Sequence, residues 1–568
     1  MATFTMDLSK ENPMTLSHAP GENELTNESL KKWKVHVNRA PTIEYLPPGI
    51  TKQQWPAIVQ AFKDAIGEES VFTGERLKHN YHDPYAMNED EADRRGSAAA
   101  VRPKTVEQIQ KVLKIANQHK IPVWTVSRGR NLGYGGPAAR VKGSVIIDLQ
   151  TMNRIIEIND KFSYYTVEPG VSFFQLFQTI QKEKKDIWCS VPALGWGSVV
   201  GNALDRGWGY TPHGDHSNQI CGLEVVLADG RVVRTGMGAI EGSKCWPLFR
   251  GGYGPTYDSM FQQSNFGIVT KMTLWASPAP RGFIACKLDV PEEADLAPMV
   301  DIFRELLLRE TIQNHPVIGN IVREMCKRGP RKQWWPHKTT VPDWKLKELQ
   351  KEFDMGWWDA TFALYGPKEV IQFHYKEIEE AFKAIPGARL TKNEYYPKPG
   401  DKYVRATDLP LDLQTGTPTM WPIKTVGYRG EDGEGKAVLD FYYTAKETCR
   451  KHGFEFSAGL HQHLRHTTHI NMIHFDRESQ EDKDTANKLF VDLVADARAA
   501  GYGEYRAHVE HMDLVADVYN FNGGALRKLN QQIKDLLDPN GILSPGKQGI
   551  WPAKYRQEAK QLSNESKL

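Results

Sequence analysis

The sequence predicts an α+β protein with two domains, and two patterns support this prediction. From about residue 98 to about residue 290, short β-branched runs alternate with amphipathic helices, as is typical of an α/β domain. Between about residues 418 and 510 the predicted order is β-α-β-β-α-β, which indicates an antiparallel sheet with helices on one face. The 568 residues suffice for more than one core, because single cores stop growing at roughly 250 to 300 residues.

The first domain is built from strands that alternate with capped helices. Strands are predicted at A-A-A-V-R-P (98–103), I-P-V-W-T-V (121–126), S-V-I-I-D-L (144–149) and Y-Y-T-V-E-P (164–169). Thr105 with Gln108, and Ser172 with Gln175, have the spacing of capping boxes and mark the starts of two helices. The run L-E-V-V-L-A-D-G-R-V-V-R-T (223–235) predicts a hairpin with a two-residue Asp-Gly turn.

The second domain is predicted to be helix-rich from about residue 290, and G-Y-R-G-E-D-G-E-G (427–435) is typical of a mobile loop. Its four strands are predicted at T-M-W-P-I-K-T-V, F-E-F-S-A-G-L-H, T-H-I-N-M-I-H-F and G-E-Y-R. The turn-rich segment D-P-N-G-I-L-S-P-G-K-Q-G-I-W-P (538–552) is expected to return to the first domain.

Composition argues against several classes of partner. The formal net charge is +2 with no long basic block, so nucleic-acid binding is not expected. The six cysteines form no C-x-x-C pair, which favours free thiols in a reducing compartment. No signal peptide or membrane span is predicted. The last residues, Ser566, Lys567 and Leu568, match a peroxisomal import signal, so we expect a peroxisomal protein.

The stretch G-R-N-L-G-Y-G-G (129–136) follows a predicted strand and contains four glycines around Tyr134. Such a bend presents main-chain N–H groups to an anion, usually a phosphate, although an ordinary turn has the same composition. The spacing matches neither G-x-G-x-x-G nor a P-loop. Taken alone, the loop leaves both interpretations open.

Together with four further stretches, this loop resembles the vanillyl-alcohol oxidase and p-cresol methylhydroxylase family of FAD enzymes, particularly the fungal vanillyl-alcohol oxidases. The other stretches are G-S-V-V-G-N-A-L-D-R-G-W-G-Y-T-P-H-G-D-H (197–216), S-N-F-G-I-V-T-K (264–271), G-Y-G-E-Y-R-A-H (501–508) and the segment 538–552. The resemblance runs from about residue 55 to about residue 555. It implies two α/β subdomains that bind FAD and a cap domain with a large antiparallel sheet covered by helices.

The resemblance also implies domain limits and FAD contacts. The limits are an N-terminal arm (1–45), an FAD-binding domain (46–290), a cap or substrate domain (291–504), a C-terminal return (505–560) and a tail (561–568). The loop 129–136 is expected to wrap the pyrophosphate, while Asn202, Asp205, Tyr210 and the strand 267–269 hold the ribityl, ribose and adenine parts. The full predicted set is Arg128, Gly129, Arg130, Asn131, Leu132, Pro192, Leu194, Gly197, Ser198, Asn202, Asp205, Gly207, Tyr210, Gly267, Ile268, Val269, Arg506 and Lys547.

In such enzymes the residues that match Tyr134, Tyr505 and Arg506 hold a phenolate oxygen in the substrate cavity. A structural strand pair is the alternative for Tyr505 and Arg506. Arginine supplies a permanent charge, and the two hydroxyls supply charge-assisted hydrogen bonds. The resemblance therefore implies an oxidase of para-substituted phenols that moves a benzylic hydride to flavin N5, forms a p-quinone methide and reduces dioxygen to hydrogen peroxide. It also suggests a homodimer or an assembly of dimers.

Two departures from the family pattern concern how FAD is attached. The fungal oxidases link FAD to a histidine five residues before a proline, and counting back from Pro422 gives Thr417. The histidine that assists attachment would follow Asp83 and Pro84, where this chain has Tyr85. We therefore expect FAD to be bound non-covalently.

A third departure concerns catalysis. The family carboxylate beside flavin N5 corresponds to Ala193, and Trp196 replaces a small residue nearby. Two alternatives stay open. One is a flavin dehydrogenase or oxidase that uses another electron acceptor, or a bulkier aromatic or hydroxy-acid donor. The other, indicated by Ala193 and Thr417, is a catalytically impaired flavin protein.

The stretch L-H-Q-H-L-R-H-T-T-H (460–469) contains an unusual density of histidines. Period-two alternation predicts that His461, His463, Arg465 and His469 share one side of a strand. Solvated or core histidines, cavity-lining groups and a metal site are the three interpretations. We predict that His461 and His463 line the cavity as catalytic groups and that no metal is bound, since no cysteine or carboxylate has ligand spacing.

Overall fold

The computed structural model describes residues 44–81, 83, 95–131, 133–192, 195–329, 331–409, 424–430, 435–476, 479–557 and 559. Several positions singled out above lie outside this part of the chain, namely Pro84, Tyr85, Leu132, Ala193, Leu194, Thr417, Pro422, Ser566, Lys567 and Leu568. The described residues form the predicted α+β fold, with two smaller sheets and one large antiparallel sheet.

The first small sheet has the order β1-β2-β4-β3, in which β4 runs parallel to both β2 and β3. Its strands are β1 (Val71–Phe72), β2 (Ala99–Val101), β3 (Val123–Val126) and β4 (Val145–Asp148). Helices α1 (Trp55–Ile66), α2 (Gly74–Asn80) and α3 (Val106–His119) accompany it. Helix α3 begins after Thr105, whose side chain accepts the N–H of Gln108 at 3.3 Å as predicted, but the side chain of Gln108 accepts the N–H of Lys104 and does not close the box.

The second small sheet is antiparallel, with the order β5-β6-β10-β8-β9. Its strands are β5 (Ile155–Asn159), β6 (Tyr164–Val167), β8 (Ile220–Val226), β9 (Val232–Arg234) and β10 (Ile268–Trp275). A short pair, β7 (Ile187–Trp188) with β11 (Ser277–Pro278), and helices α4 (Phe173–Lys182) and α5 (Val199–Leu204) complete this region. Ser172 caps α4 as predicted, but Gln175 donates to the carbonyl of Asn153 and does not close the box.

The predicted hairpin between β8 and β9 forms, but its turn is longer than the two residues expected. The N–H of Gly230 donates to the carbonyl of Leu227, and the N–H of Leu227 donates to the carbonyl of Arg231. Within the turn Gly230 has a φ of 88°, and Asp229 does not have a positive φ. One positive φ at the glycine is typical of a three-residue loop with a bulge.

The large sheet has the strand order β15-β12-β14-β13-β17-β18-β16-β19, and every neighbouring pair is antiparallel. Its strands are β12 (Phe283–Val290), β13 (Val317–Asn320), β14 (Trp358–Tyr365), β15 (Arg389–Tyr395), β16 (Lys424–Gly430), β17 (Ser457–Gln462), β18 (Thr467–Ile473) and β19 (Gly503–Arg506). Helices α6 (Leu296–Leu308), α7 (Ile321–Arg328), α8 (Asp343–Glu352), α9 (Lys368–Phe382), α10 (Gly435–Lys451) and α11 (Gln480–Ala499) supply much of its apolar core.

The segment after residue 290 is rich in helices, as expected, but β13, β14 and β15 also lie within it, and β12 in the preceding segment joins the same sheet. One expectation for this domain was wrong. Residues 427–430, expected in a mobile loop, belong to β16 and pair with β18. Because the partner strand lies far away in the sequence, the local composition did not indicate a strand.

The C-terminal segment returns to the first domain, as predicted. After α12 (Met512–Ala516) and α13 (Phe521–Leu537), the chain runs beside β3. The N–H of Val123 donates to the carbonyl of Ile542, and the N–H of Ser544 donates to the carbonyl of Val123, both at 2.7 Å. All six cysteines are free, and none of the described helices is long and apolar enough to cross a membrane.

Candidate active site

The glycine loop follows β3 and turns sharply. Gly129, Gly133, Gly135 and Gly136 all have positive φ, between 53° and 110°. The N–H groups of Tyr134 and Gly136 both donate to the carbonyl of Asn131, which closes the turn. A Cβ added at Gly135 would lie 2.5 Å from a methyl carbon of Val509, so only glycine fits this position.

The loop has the chemistry of an anion site. The N–H groups of Gly129, Gly133 and Gly135 donate to no acceptor in the part of the chain that the structure describes. Arg128 is buried at the base of the loop, and its guanidinium donates to the carbonyls of Trp196 and Gly170 at 2.9 and 2.8 Å. Burial, together with nearby Arg130, lowers the pKa of Arg128 to about 10. The lowered pKa shows that the protein spends free energy to keep this side chain charged when it is buried. Bare N–H groups beside a buried cation fit the pyrophosphate of FAD.

The second glycine-rich stretch packs against this loop. Ser198 caps α5 by accepting the N–H of Gly201 at 2.9 Å, so its hydroxyl holds the local backbone. The carboxylate of Asp205 accepts from the amide of Asn131 at 3.3 Å and joins the two predicted FAD segments. Asn202 contacts Nδ1 of His216 at 2.6 Å, which fixes that ring.

The remaining predicted cofactor residues surround the same region with different roles. The carbonyl of Gly197 accepts the N–H of Phe173, and the N–H of Gly207 donates to the carbonyl of Asn202. The other residues in this group are Pro192, which is buried, Gly267, which precedes β10, Ile268 and Val269, which lie in β10, Arg130, which is exposed, and Lys547, which is half-buried. Their assignment to FAD stays a prediction.

The structure brings Tyr134, Tyr505 and Arg506 together at the end of β19. The guanidinium carbon of Arg506 lies 5.3 Å from the ring centroid of Tyr134 and 5.7 Å from that of Tyr505. Its Nε donates to the carbonyl of Asp205 at 2.6 Å. One cation therefore links the glycine loop, the second glycine-rich stretch and the edge of the large sheet.

The electrostatics of this group suit the binding of an anion. Burial and the neighbouring Tyr505 raise the pKa of Tyr134 above its usual value, although Arg506 opposes the shift, so Tyr134 remains a hydroxyl donor. Burial disfavours the charge on Arg506. The neighbouring Tyr505, Tyr134 and Asp205 favour that charge more strongly, so the pKa of Arg506 is raised. The group thus combines the permanent charge of Arg506 with the neutral hydroxyl of Tyr134.

His461 and His463 lie on the face of the large sheet that meets the FAD-binding domain. His463 packs on Trp208 with ring centroids 3.9 Å apart, and His461 lies 6.4 Å from Tyr210. Burial lowers the pKa of His461 well below its usual value, so this imidazole is neutral. The two predicted histidines are therefore found together, while their catalytic role stays a prediction.

The prediction that Arg465 and His469 share this side of one strand was wrong. Strand β17 ends at Gln462, and the chain reverses through a turn in which the N–H of His463 donates to the carbonyl of His466. Arg465 is exposed in the turn, and His469 stands in β18 opposite Leu460 with its ring against Phe441 of α10. Period-two alternation does not continue through a tight turn.

One residue of this site, His315, was not singled out from the sequence. Its ring lies among those of Trp208, Tyr210 and His461. Its ring stacks on His461 at 5.0 Å and on Tyr210 at 5.7 Å, and it lies 5.4 Å from Trp208. Burial lowers the pKa of His315 to about 4. The sequence pattern that could have indicated His315 is its alternation with Val317 and Gly319. This pattern points to the site only once β13 is known to pair with β17. Among the described residues, no cluster of three or more His, Cys, Asp or Glu side chains could hold a metal.

Comparisons with known proteins agree with these observations. The family profile described as "FAD binding domain" matches residues 97–236, and the one described as "FAD linked oxidases, C-terminal domain" matches residues 435–548. The flavoprotein subunit of 4-cresol dehydrogenase (hydroxylating) from Pseudomonas putida is 36% identical over 517 residues, which cover 89% of this chain and 97% of that protein.

Two solved structures resemble the whole arrangement. A 4-ethylphenol oxidase from Gulosibacter chungangensis in complex with isoeugenol has a TM-score of 0.84 at 32% identity, covering 90% of this chain and 100% of that chain. A p-cresol methylhydroxylase with substrate bound has a TM-score of 0.83 at 35% identity, covering 89% of this chain and 99% of that chain.

Proposed function

Because the chain belongs to the vanillyl-alcohol oxidase and p-cresol methylhydroxylase family of FAD-dependent oxidoreductases, we propose that it oxidises para-substituted phenols at the benzylic carbon. Candidate donors are 4-hydroxybenzylic alcohols and alkyl- or allylphenols. The similar proteins named above are a 4-cresol dehydrogenase, a 4-ethylphenol oxidase and a p-cresol methylhydroxylase, and all three names specify a 4-alkylphenol.

The observation that carries this proposal is the position of the Arg506 guanidinium close to the rings of both Tyr134 and Tyr505. A phenol has a pKa of about 10, so binding it ionised at pH 7 costs roughly 4 kcal/mol without compensation. The charge on Arg506 and the hydroxyl of Tyr134 favour the anion, and Tyr505 is placed to add a second donor. Ionisation moves electron density through the ring to the para position and weakens the benzylic C–H bond.

Bound FAD supplies a two-electron acceptor for the hydride that leaves the benzylic carbon. The chain itself orients the phenol ring between Arg506, with its two tyrosines, and the rings of His315 and His461. The p-quinone methide that forms then adds water or loses a proton. His315 and His461 are neutral at pH 7, so they act as proton acceptors and not as proton donors. In this proposal they take over the proton transfer that a carboxylate performs in the family. This chain has Ala193 at the corresponding position.

The proposal is tested by anaerobic mixing of the holoenzyme with a panel of 4-alkylphenols, followed by air. Bleaching of the flavin band, with recovery and hydrogen peroxide in air, is the expected result and identifies dioxygen as the acceptor. Bleaching without recovery would indicate another acceptor. Bleaching only with a bulkier aromatic or a hydroxy acid would change the donor class. An absence of bleaching with every donor would indicate an impaired flavin protein and overturn the proposal.

Peroxisomal location belongs to the same proposal, because the peroxide product suits a compartment that degrades it. It rests on Ser566, Lys567 and Leu568, which are outside the described residues. A fluorescent protein that carries the last residues of this chain is expected to enter peroxisomes, and deletion of Leu568 is expected to leave it in the cytosol. Cytosolic fluorescence of the intact fusion would contradict this part of the proposal.

A further inference from the structure

Strand β19, which stands last in the strand order of the large sheet, carries a β-bulge at Tyr505. Glu504 lies opposite Tyr428 of β16. The next residue of β16, Gly427, lies opposite Arg506 and not opposite Tyr505. One step along β16 therefore corresponds to two steps along β19, and Tyr505 is the extra residue. A bulge bends its strand and changes the direction in which the side chains point.

The bulge explains how two consecutive residues reach the same site. In a regular strand the side chains of Tyr505 and Arg506 would point to opposite faces of the sheet. Here the guanidinium carbon of Arg506 lies 5.7 Å from the ring centroid of Tyr505 and 5.3 Å from that of Tyr134. The phenolate site, formed by Tyr134, Tyr505 and Arg506, therefore depends on this local distortion of β19.

The side chain of Gln263 holds the bulge from the FAD-binding domain. Its Nε2 donates to the main-chain carbonyl of Tyr505 at 2.5 Å, although the two residues are 242 positions apart in the sequence. This carbonyl belongs to the peptide group that joins Tyr505 to Arg506. A hydrogen bond to it fixes the plane of that peptide group, so it acts on the direction of both side chains.

The backbone around Gln263 is held firmly enough to aim this amide. Gln263 has a φ of 45°, a left-handed conformation that glutamine rarely adopts and that the surrounding structure has to stabilise. Its N–H donates to the carbonyl of Leu204 at 2.8 Å. Two residues later, the buried side chain of Asn265 donates to the carbonyls of Ser544 and Ile550 at 2.9 and 3.0 Å. The segment is thus fixed on both sides of the glutamine.

The same part of the FAD-binding domain also holds Arg506. Helix α5 ends at Leu204, whose carbonyl accepts the N–H of Gln263. The next carbonyl of the chain, that of Asp205, accepts Nε of Arg506 at 2.6 Å. The end of α5, Gln263 and the bulge are therefore joined by three hydrogen bonds. Through them the FAD-binding domain sets the orientation of both Tyr505 and Arg506.

We infer that Gln263 is a positioning residue for the phenolate site, because its amide maintains the bulge that brings the side chains of Tyr505 and Arg506 together. The inference rests on the proposed function, since it concerns how the proposed phenolate site is formed. Gln263 acts on the phenol through Tyr505 and not by contact. Without the amide, β19 is free to adopt regular alternation, and the hydroxyl of Tyr505 would no longer face the phenolate oxygen.

The experiment measures the binding of 4-chlorophenol, which has no benzylic hydrogen to lose, to holoenzyme at pH 7. Gln263→Gly removes the amide and tolerates the positive φ, and Gln263→Asn also tolerates it but carries an amide that is one methylene too short. Both variants are expected to keep the FAD content of the wild type and to bind 4-chlorophenol about tenfold more weakly, as the loss of one hydrogen bond to the phenolate gives. Wild-type affinity in both variants would overturn the inference.

A double-mutant cycle shows whether Gln263 acts through Tyr505. Tyr505→Phe is expected to weaken the binding of 4-chlorophenol about tenfold in the wild type, but only about twofold or less in Gln263→Gly, where the hydroxyl has already lost its place. A merely structural role of Gln263 would not produce this overlap. Losses that multiply to about 100-fold in the double variant would show that the two residues act independently and would overturn the inference.

Gln262→Ala is the matched control. The side chain of Gln262 also donates to a main-chain carbonyl, that of Ser217, at 3.2 Å, and its φ of −77° suits alanine. This variant is expected to bind 4-chlorophenol with the affinity of the wild type. A loss as large as that in Gln263→Gly would show that any change in this segment disturbs the site, and the assignment to Gln263 would fail.

The failure of this inference can be separated from that of the proposed function. If 4-ethylphenol bleaches the flavin of the wild type but both Gln263 variants bind 4-chlorophenol normally, the inference fails and the proposed function stands. If the effects of Gln263→Gly and Tyr505→Phe on 4-chlorophenol binding overlap but no phenol bleaches the flavin, the positioning role stands and the proposed function fails.

Discussion

The guanidinium carbon of Arg506 lies 5.3 Å from the ring centroid of Tyr134, although the two residues come from opposite parts of the chain. Arg506 ends the edge strand β19 of the large sheet, and Tyr134 belongs to the loop that follows β3 in the FAD-binding domain. The site is therefore complete only when the two domains are docked. This contact explains why a loop of small residues retains one large aromatic side chain.

Removing the cation tests the phenolate site. Arg506→Ala is expected to weaken the binding of a 4-alkylphenol by about 10- to 100-fold, because it removes a charge-assisted interaction worth roughly 1.5–3 kcal/mol. Affinity is measured from the change in the flavin spectrum on titration. Arg465→Ala, at an exposed arginine in the same domain, is the control and should bind normally. Unchanged affinity in Arg506→Ala would place the anion site elsewhere.

The glycine loop can be tested through FAD occupancy. Gly135→Ala is expected to lower the FAD content of purified protein, because its φ of 110° strains alanine and its Cβ would lie 2.5 Å from Val509. Gly400→Ala is the control, with a φ of 93° and nothing within 4 Å of an added Cβ. If both variants retain FAD equally, the loop does not need glycine for binding. Adding Val509→Ala to Gly135→Ala should restore part of the occupancy.

Buried histidines predict a loss of stability in acid. His315 has an ordinary pKa of 6.5, which burial lowers to about 4 in the folded protein, so below pH 6.5 the unfolded chain binds a proton that the folded chain does not. The free energy of unfolding should therefore fall between pH 6.5 and about pH 4, by roughly 3 kcal/mol from this residue. Above pH 6.5 His315 contributes nothing to the pH dependence.

The measurement is the free energy of unfolding as a function of pH for the wild type and for His315→Phe. The variant should show a shallower decline below pH 6.5, and His337→Phe, at an exposed position, should decline like the wild type. His216 and His469 also have pKa values that burial lowers, to about 3 and about 4, so part of the decline will remain. Parallel curves for His315→Phe and the wild type would contradict the assignment.

Much of this site was predictable from the family resemblance that a few short stretches carry. The glycine loop, Tyr134 and the pair Tyr505 and Arg506 were found because each lies in a short, distinctive stretch. His315 was not found, since its significance depends on β13 lying beside β17, a pairing that no local pattern fixes. His469 was misplaced for a related reason, because the tight turn at 463–466 moves it to the opposite face.

Non-covalent attachment of FAD is expected, because the resemblance places Thr417 and Tyr85 where the covalent enzymes have their two histidines. Acid precipitation of the purified protein is expected to leave the yellow colour in the supernatant, because no covalent bond retains the cofactor. Colour that stays in the pellet, even after denaturation, would show that another residue forms the link.

The most direct test of the central claim is the ionisation state of a bound phenol at pH 7. A 4-halophenol has no benzylic hydrogen to lose, so it can occupy the site without reacting. The account predicts that its ultraviolet difference spectrum on binding is that of a phenolate, although most of the free ligand is neutral at this pH. The spectrum of a neutral phenol in the saturated complex would contradict the account.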